Sequence, residues 1–160
     1  IKSLIVSLVI IIILLSLMFR NIKVGFIGAV PIMTTAFIGF GVMGFLNIPL
    51  NTTTALLASI AIGIGIDYAV HFLQQYRVNA GLTGDKYLTA QKTMNHTGRA
   101  ISFNAIVVIA GFLVLLFSVF PPNRELGALV SLNMFTSFAG TVTVMMVLLH
   151  KLNIWFGKTK

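Results

Sequence analysis

Apolar residues in this chain come in long runs rather than in the stripes or alternations of a soluble fold. Five runs stand out, at about Ser3–Phe19, Val24–Leu46, Thr54–Tyr76, Ala100–Val119 and Gly127–Leu149. Each approaches or exceeds the roughly 20 helical residues that cross a hydrocarbon core. Backbone groups facing lipid must satisfy one another within their own segment, so all five runs are predicted to be helices. The predicted fold is an all-α membrane protein, a five-helix transmembrane bundle forming one transmembrane domain over residues 1–160. The pattern shows neither an internal repeat nor a soluble domain.

The connections carry the helix breakers. Asn47–Thr53 ends the second run with Asn and Pro49 and offers threonines to cap the third. Pro121, Pro122 and Asn123 play the breaking role in the connection Phe120–Leu126. Arg77–Arg99 is the long connection. Gly81, Thr83 and Gly84 break it, and Asp85 is placed to cap a short helix reaching about His96. Tyr87, Leu88 and Met94 share that helix with Lys86 and Lys92, the pattern of a short helix on the membrane surface.

Composition agrees with the runs: 58% of residues are hydrophobic and 9% charged, too few to coat a soluble domain of this length. The net charge of +8 in a soluble protein would suggest nucleic acid. Here the cations sit in short loops beside apolar runs, with no basic stripe interleaved with aromatics, so membrane topology accounts for them and nucleic acid is excluded as a partner. Arg20, Lys23, Arg77, Lys86, Lys92, Arg99, Lys151, Lys158 and Lys160 fall on one side, and only Lys2 and Arg124 on the other. The positive-inside rule makes the first side cytoplasmic, which puts the N-terminus outside and the C-terminus inside. The first run lacks a basic n-region and a cleavage pattern, so it does not read as a signal peptide. Its start one lysine before a span suggests a segment of something longer. With no cysteine there is no disulfide or thiol chemistry, and His71, His96 and His150 lack the paired spacing of zinc ligands. No metal, cofactor or enzymatic constellation is expected.

Asp67 is the sharpest chemical signal, because it falls near the middle of the third run. An ionised carboxylate there costs about 2.5–3.5 kcal/mol on insertion scales. It persists when it pairs, sits in a wet cavity or carries a proton, and such groups mark proton or ion pathways. Gly63 lies one turn earlier on the same face, and Gly63 and Gly65 permit close helix packing. Tyr68 is adjacent and needs a partner for its hydroxyl. His71, one turn beyond Asp67, can extend a proton path, or can simply bond between helices. By depth, Thr34, Thr35 and Thr141 reach the level of Asp67 and Asn104 that of His71, a candidate supporting polar path. Isolated interhelical bonds are the alternative. Pro31, inside the second run, is expected to kink it or free a carbonyl.

Gly63–Tyr76, GIGIDYAVHFLQQY, resembles the fourth helix of a half of an RND-superfamily transporter of the MMPL-type or hydrophobe-exporter branch. Thr97–Ser118, TGRAISFNAIVVIAGFLVLLFS, resembles the next helix, and IPLNTTTALLASIAIGIGID joins the first motif to its outer loop in the family's manner. The resemblance implies helices 2–6 of one half, with the tail pointing to the C-terminal half and a periplasmic domain missing ahead of them. It implies a proton relay through Asp67, with Tyr68 pairing across the two halves. The expected function is the transmembrane portion of a proton-motive-force-driven exporter of lipids or other hydrophobic compounds in the cytoplasmic (inner) membrane. Its partners would be the bilayer, protons, a hydrophobic or lipid substrate, and the other transporter half or another copy. The alternative is a non-transporting module that senses lipid or sterol, or assists protein export.

Overall fold

The computed structural model describes residues 2–49 and 52–151. They form five helical rods, with no strand among the described residues: α1 (Lys2–Phe19), α2 (Ile22–Phe45), α3 (Thr52–Thr83), α4 (Lys86–Phe117) and α5 (Pro121–Leu149). α2, α4 and α5 are long and apolar enough to cross a membrane, and α1 adds the apolar stretch Ile5–Phe19. Lys158 and Lys160, used in the orientation count, lie outside the described residues, as do Leu50 and Asn51 of the connection before α3.

Each rod ends for a local reason. α1 closes with Arg20 in the left-handed region at φ 51°, its N–H donating to the Leu17 carbonyl at 3.2 Å. The Asn21 N–H donates to the Ser16 carbonyl at 3.1 Å, completing a Schellman turn. α2 ends in the same way at Asn47, φ 54°, with bonds from Asn47 N–H to Gly44 and from Ile48 N–H to Met43. Thr54 turns its hydroxyl back to the Pro49 carbonyl at 3.1 Å. Pro121 and Pro122 occupy the first turn of α5 rather than a loop, so the connection shrinks to Ser118–Phe120. A proline at a helix start forfeits only an N–H that has no helical partner anyway, and its φ is already helical. α2 runs through Pro31 without a break, and the Pro31 carbonyl accepts from the Thr35 hydroxyl at 2.9 Å.

α2 and α5 organise the bundle. α1 packs along α2, and α5 lies against α2, α3 and α4. Glycines set the close approaches. A Cβ on Gly25 would collide with the Ser16 hydroxyl of α1, and one on Gly28 would meet Leu15 and Leu73 side chains at 2.8 and 3.0 Å. The Gly140–Pro31 contact, 3.4 Å from a built Cβ to Pro31 Cα, brings α5 onto α2 immediately before a π turn at Thr141–Met145. The core comprises Leu15, Val24, Ile32, Tyr68, Phe72, Leu73, Tyr76, Met134, Met145 and Leu149, all close to fully buried.

α3 is longer than its apolar run. Its 32 residues measure about 48 Å against a hydrocarbon core about 30 Å thick. The helix continues past Tyr76 to Thr83 before Gly84, at φ 67°, turns the chain. The short helix after Asp85 forms as the sequence predicts, with the Asp85 carboxylate accepting from Tyr87 N–H at 3.2 Å. It then runs without interruption through a π turn, Met94–Gly98, into the next span. Its Thr89 and Thr93 are buried against α3. Asn79 Nδ2 donates to Thr93 Oγ1 at 2.9 Å, and the Thr83 and Thr89 hydroxyls bond one another. This polar seam makes the end of α3 and the start of α4 a helical hairpin, where the sequence suggests a separate short helix on the membrane surface.

Gly127 tests the packing of α4 on α5, because a Cβ there would sit 2.6 Å from the Phe112 carbonyl oxygen, a backbone atom that cannot swing away. Gly127→Ala is expected to destabilise the bundle by about 1–3 kcal/mol. Gly41→Ala, whose new methyl meets nothing within 4 Å, should be neutral or slightly stabilising. Thermal unfolding of both variants in detergent checks the contrast.

Candidate functional site

α3 presents two faces of unlike character. Gly65, Tyr68, Ala69, Phe72, Leu73, Tyr76, Asn79 and Ala80 recur at helical spacing and are buried. Gly63, Asp67, His71, Gln74 and Val78 recur at the same spacing and are exposed. In a soluble protein such amphipathicity would be ordinary. In a membrane helix it places a carboxyl, an imidazole and an amide on the outer surface of the bundle.

The rotation of α3 is fixed by its contact with α5. A Cβ on Gly65 would lie 2.7 Å from Ser137 Oγ, and the Ser137 hydroxyl donates to the Gly65 carbonyl at 3.1 Å. Tyr68, 1% exposed, aims its hydroxyl at the Met134 sulfur of α5, 4.0 Å away. Successive residues of an α-helix point about 100° apart. With Gly65 and Tyr68 turned into the bundle, Asp67 turns out.

Among the described residues the Asp67 carboxyl has neither a hydrogen bond nor an ion pair. One turn before it, a Cβ built on Gly63 meets nothing within 4 Å, so the helix surface there is notched and open. One turn after it stands His71, exposed as well. Side chains at this spacing have Cβ atoms about 5–6 Å apart, close enough to pass a proton through one water. A carboxyl on bare hydrocarbon is costly, and intramembrane ionisable groups face protein or a wet cavity in nearly every known case.

The other sequence-selected residues are dispersed. Thr35 is buried and, like Thr34 bonding to Val30 at 2.9 Å, gives its hydroxyl to its own helix. Thr141 is buried in the π turn of α5, its hydroxyl without a hydrogen-bond partner among the described residues. Asn104 stands exposed on α4. No described hydrogen bond joins any of these to Asp67. Of the two glycines, Gly65 is packed and Gly63 is open. Two polar residues of α5 were not singled out by sequence reasoning: Ser137, and Asn133, whose Oδ1 lies 2.6 Å from where a Gly39 Cβ would stand. Both are polar positions inside the fifth apolar run, the same signal that drew attention to Thr141. Among the described residues no group of three or more His, Cys, Asp or Glu is arranged to hold a metal ion.

Known proteins show the same pattern of sequence. The chain is 30% identical over 129 residues to a membrane protein of Methanocaldococcus jannaschii, covering 79% of this chain and 33% of that protein. It is 29% identical over 104 residues to the hopanoid transporter HpnN of Rhodopseudomonas palustris, covering 65% of this chain and 12% of HpnN. Human protein patched homolog 2 is 30% identical over 76 residues, 48% of this chain and 6% of that protein. The chain thus spans a third or less of each of these relatives. No solved structure matches it. The MMPL family matches residues 1–158, nearly the whole length, and the chain is a membrane protein that belongs to this family.

Proposed function

We propose that this chain is the transmembrane portion of a proton-motive-force-driven exporter of lipids or other hydrophobic compounds in the cytoplasmic membrane. The observation that carries the reading is Asp67: a carboxyl with no partner among the described residues, on an exposed polar stripe with His71 and Gln74, in a run whose sequence predicts mid-membrane depth. The stripe faces the other transporter half or a second copy, which supplies the cover a carboxyl needs in a membrane. A proton reaching Asp67 cancels its charge, and the cost of keeping α3 against its neighbour changes with that charge. A membrane potential contributes about 2.3 kcal/mol per proton for each 100 mV. Substrate handling falls to the periplasmic domain of the complete protein, and the relationship to a hopanoid transporter supports a lipid or hydrophobic cargo.

A second reading is a non-transporting module that senses lipid or sterol, or assists protein export. In its favour, the described side chains form no continuous polar path, since Thr34 and Thr35 bond their own helix and Asn104 faces outward.

Asp67→Asn separates the two. In proteoliposomes the relay reading expects proton-coupled substrate movement to fall by about 10²-fold, with thermal unfolding unchanged. Full transport by a folded Asp67→Asn protein would end that reading in favour of the second.

Coverage of the stripe has its own test. A photo-crosslinking residue at Gln74 is expected to capture protein, whereas one at Phe103, 67% exposed on α4, should capture lipid. Lipid adducts alone at Gln74 would mean that nothing packs there.

The proposed orientation has the basic ends of the helices inside. Because the sequence has no cysteine, single cysteines can report it. A cysteine replacing Tyr87 should react with a membrane-impermeant maleimide from the cytoplasmic side, and one replacing Phe120 from the opposite side; both native residues are exposed.

A further inference from the structure

The junction of α1 and α2 holds a feature that the stripe on α3 does not involve. An open groove of about 350 Å³ lies on α1 where it turns into α2, lined by Ile12, Ile13, Leu17 and Ile22 with Arg20 and Asn21 at its polar end. The Ser16 hydroxyl beside it is buried against Gly25 of α2. The Arg20 guanidinium makes no ion pair among them, and the chain's three acids, Asp67, Asp85 and Glu125, all belong to other parts of the fold. Lys23, exposed as the second residue of α2, is a second cation close by in sequence.

Arg20 also stands where a side chain is disfavoured. It occupies the left-handed position of a Schellman turn, φ 51°, the place that glycine fills at least strain. A bulky cation held in a strained backbone conformation is a pointer to a role for its side chain. The wall and the rim together select a ligand. Three aliphatic side chains suit a hydrocarbon chain, and a guanidinium suits a phosphate, which arginine can bind through two parallel N–H bonds. A neutral lipid makes no use of the cation, and a free phosphate makes no use of the apolar wall.

We propose that this groove binds one anionic phospholipid, its phosphate held by Arg20 and its acyl chain lying on Ile12, Ile13 and Leu17. The site lies at the basic end of the bundle, so its lipid comes from the leaflet on that side. The inference is independent of any transport activity.

Native mass spectrometry of the complete protein, titrated with phosphatidylglycerol or phosphatidylcholine of the same acyl chains, tests it. Phosphatidylglycerol is expected to bind about five-fold more tightly, the preference one cation gives near an anionic surface. Arg20→Gly is the decisive variant, because the backbone favours glycine there and the fold is kept while the cation is lost. It should bring phosphatidylglycerol down to the phosphatidylcholine level. Equal binding of the two lipids by the unaltered protein would overturn the proposal, as would an Arg20→Gly variant that keeps the preference. Displacement of phosphatidylglycerol by millimolar inorganic phosphate would overturn it too, and would assign the cation to a free anion.

Discussion

The close approach of α3 to α5 at Gly65 and Ser137 governs what this bundle shows to its surroundings. Without a side chain, Gly65 lets the helices meet closely enough for the Ser137 hydroxyl to reach a main-chain carbonyl. That contact sets the rotation of α3 about its axis. Tyr68 and Phe72 then fall into the core, and Asp67, His71 and Gln74 fall outside. In lipid, where no hydrophobic effect draws helices together, small residues and interhelical hydrogen bonds are what hold a pair in one orientation. The outward carboxyl is the other side of that packing.

The sequence and the fold agree most closely where length suffices: five apolar runs give five rods. The polar side of α3 is legible too, since Asp67, His71 and Gln74 recur at helical spacing, but which helix the apolar side meets is not; the contacts with Ser137 and Met134 decide that. The helical hairpin beyond Tyr76 was hidden for a different reason. Gly81, Thr83 and Gly84 have loop chemistry, yet Gly81 sits in open space and is tolerated, while Asn79 and Thr83 find partners on α4 that no local pattern displays. Pro121 and Pro122 misdirect in the opposite sense: a breaker inside a helix is an initiator at its first turn, and the sequence alone leaves the starting residue open.

The surfaces of the bundle differ in character. Much of the outer surface of α1 is aliphatic, with Ile13, Leu14 and Leu17 half or more exposed, as suits a helix against lipid. α3 carries the polar stripe, and the two helices are kept apart by α2. The bundle thus carries an aliphatic surface and a polar one on different helices.

The hairpin of α3 and α4 bears on the order in which these contacts form. Its bonds join residues close in sequence, 14 apart for Asn79 and Thr93 and 6 apart for Thr83 and Thr89. The clamp between Gly65 and Ser137 spans 72 residues. Closing short loops costs less chain entropy than closing long ones, so local contacts are favoured to form first. The hairpin is thus the cheaper contact to close, whereas the outward turn of Asp67 depends on a contact that brings distant parts of the chain together.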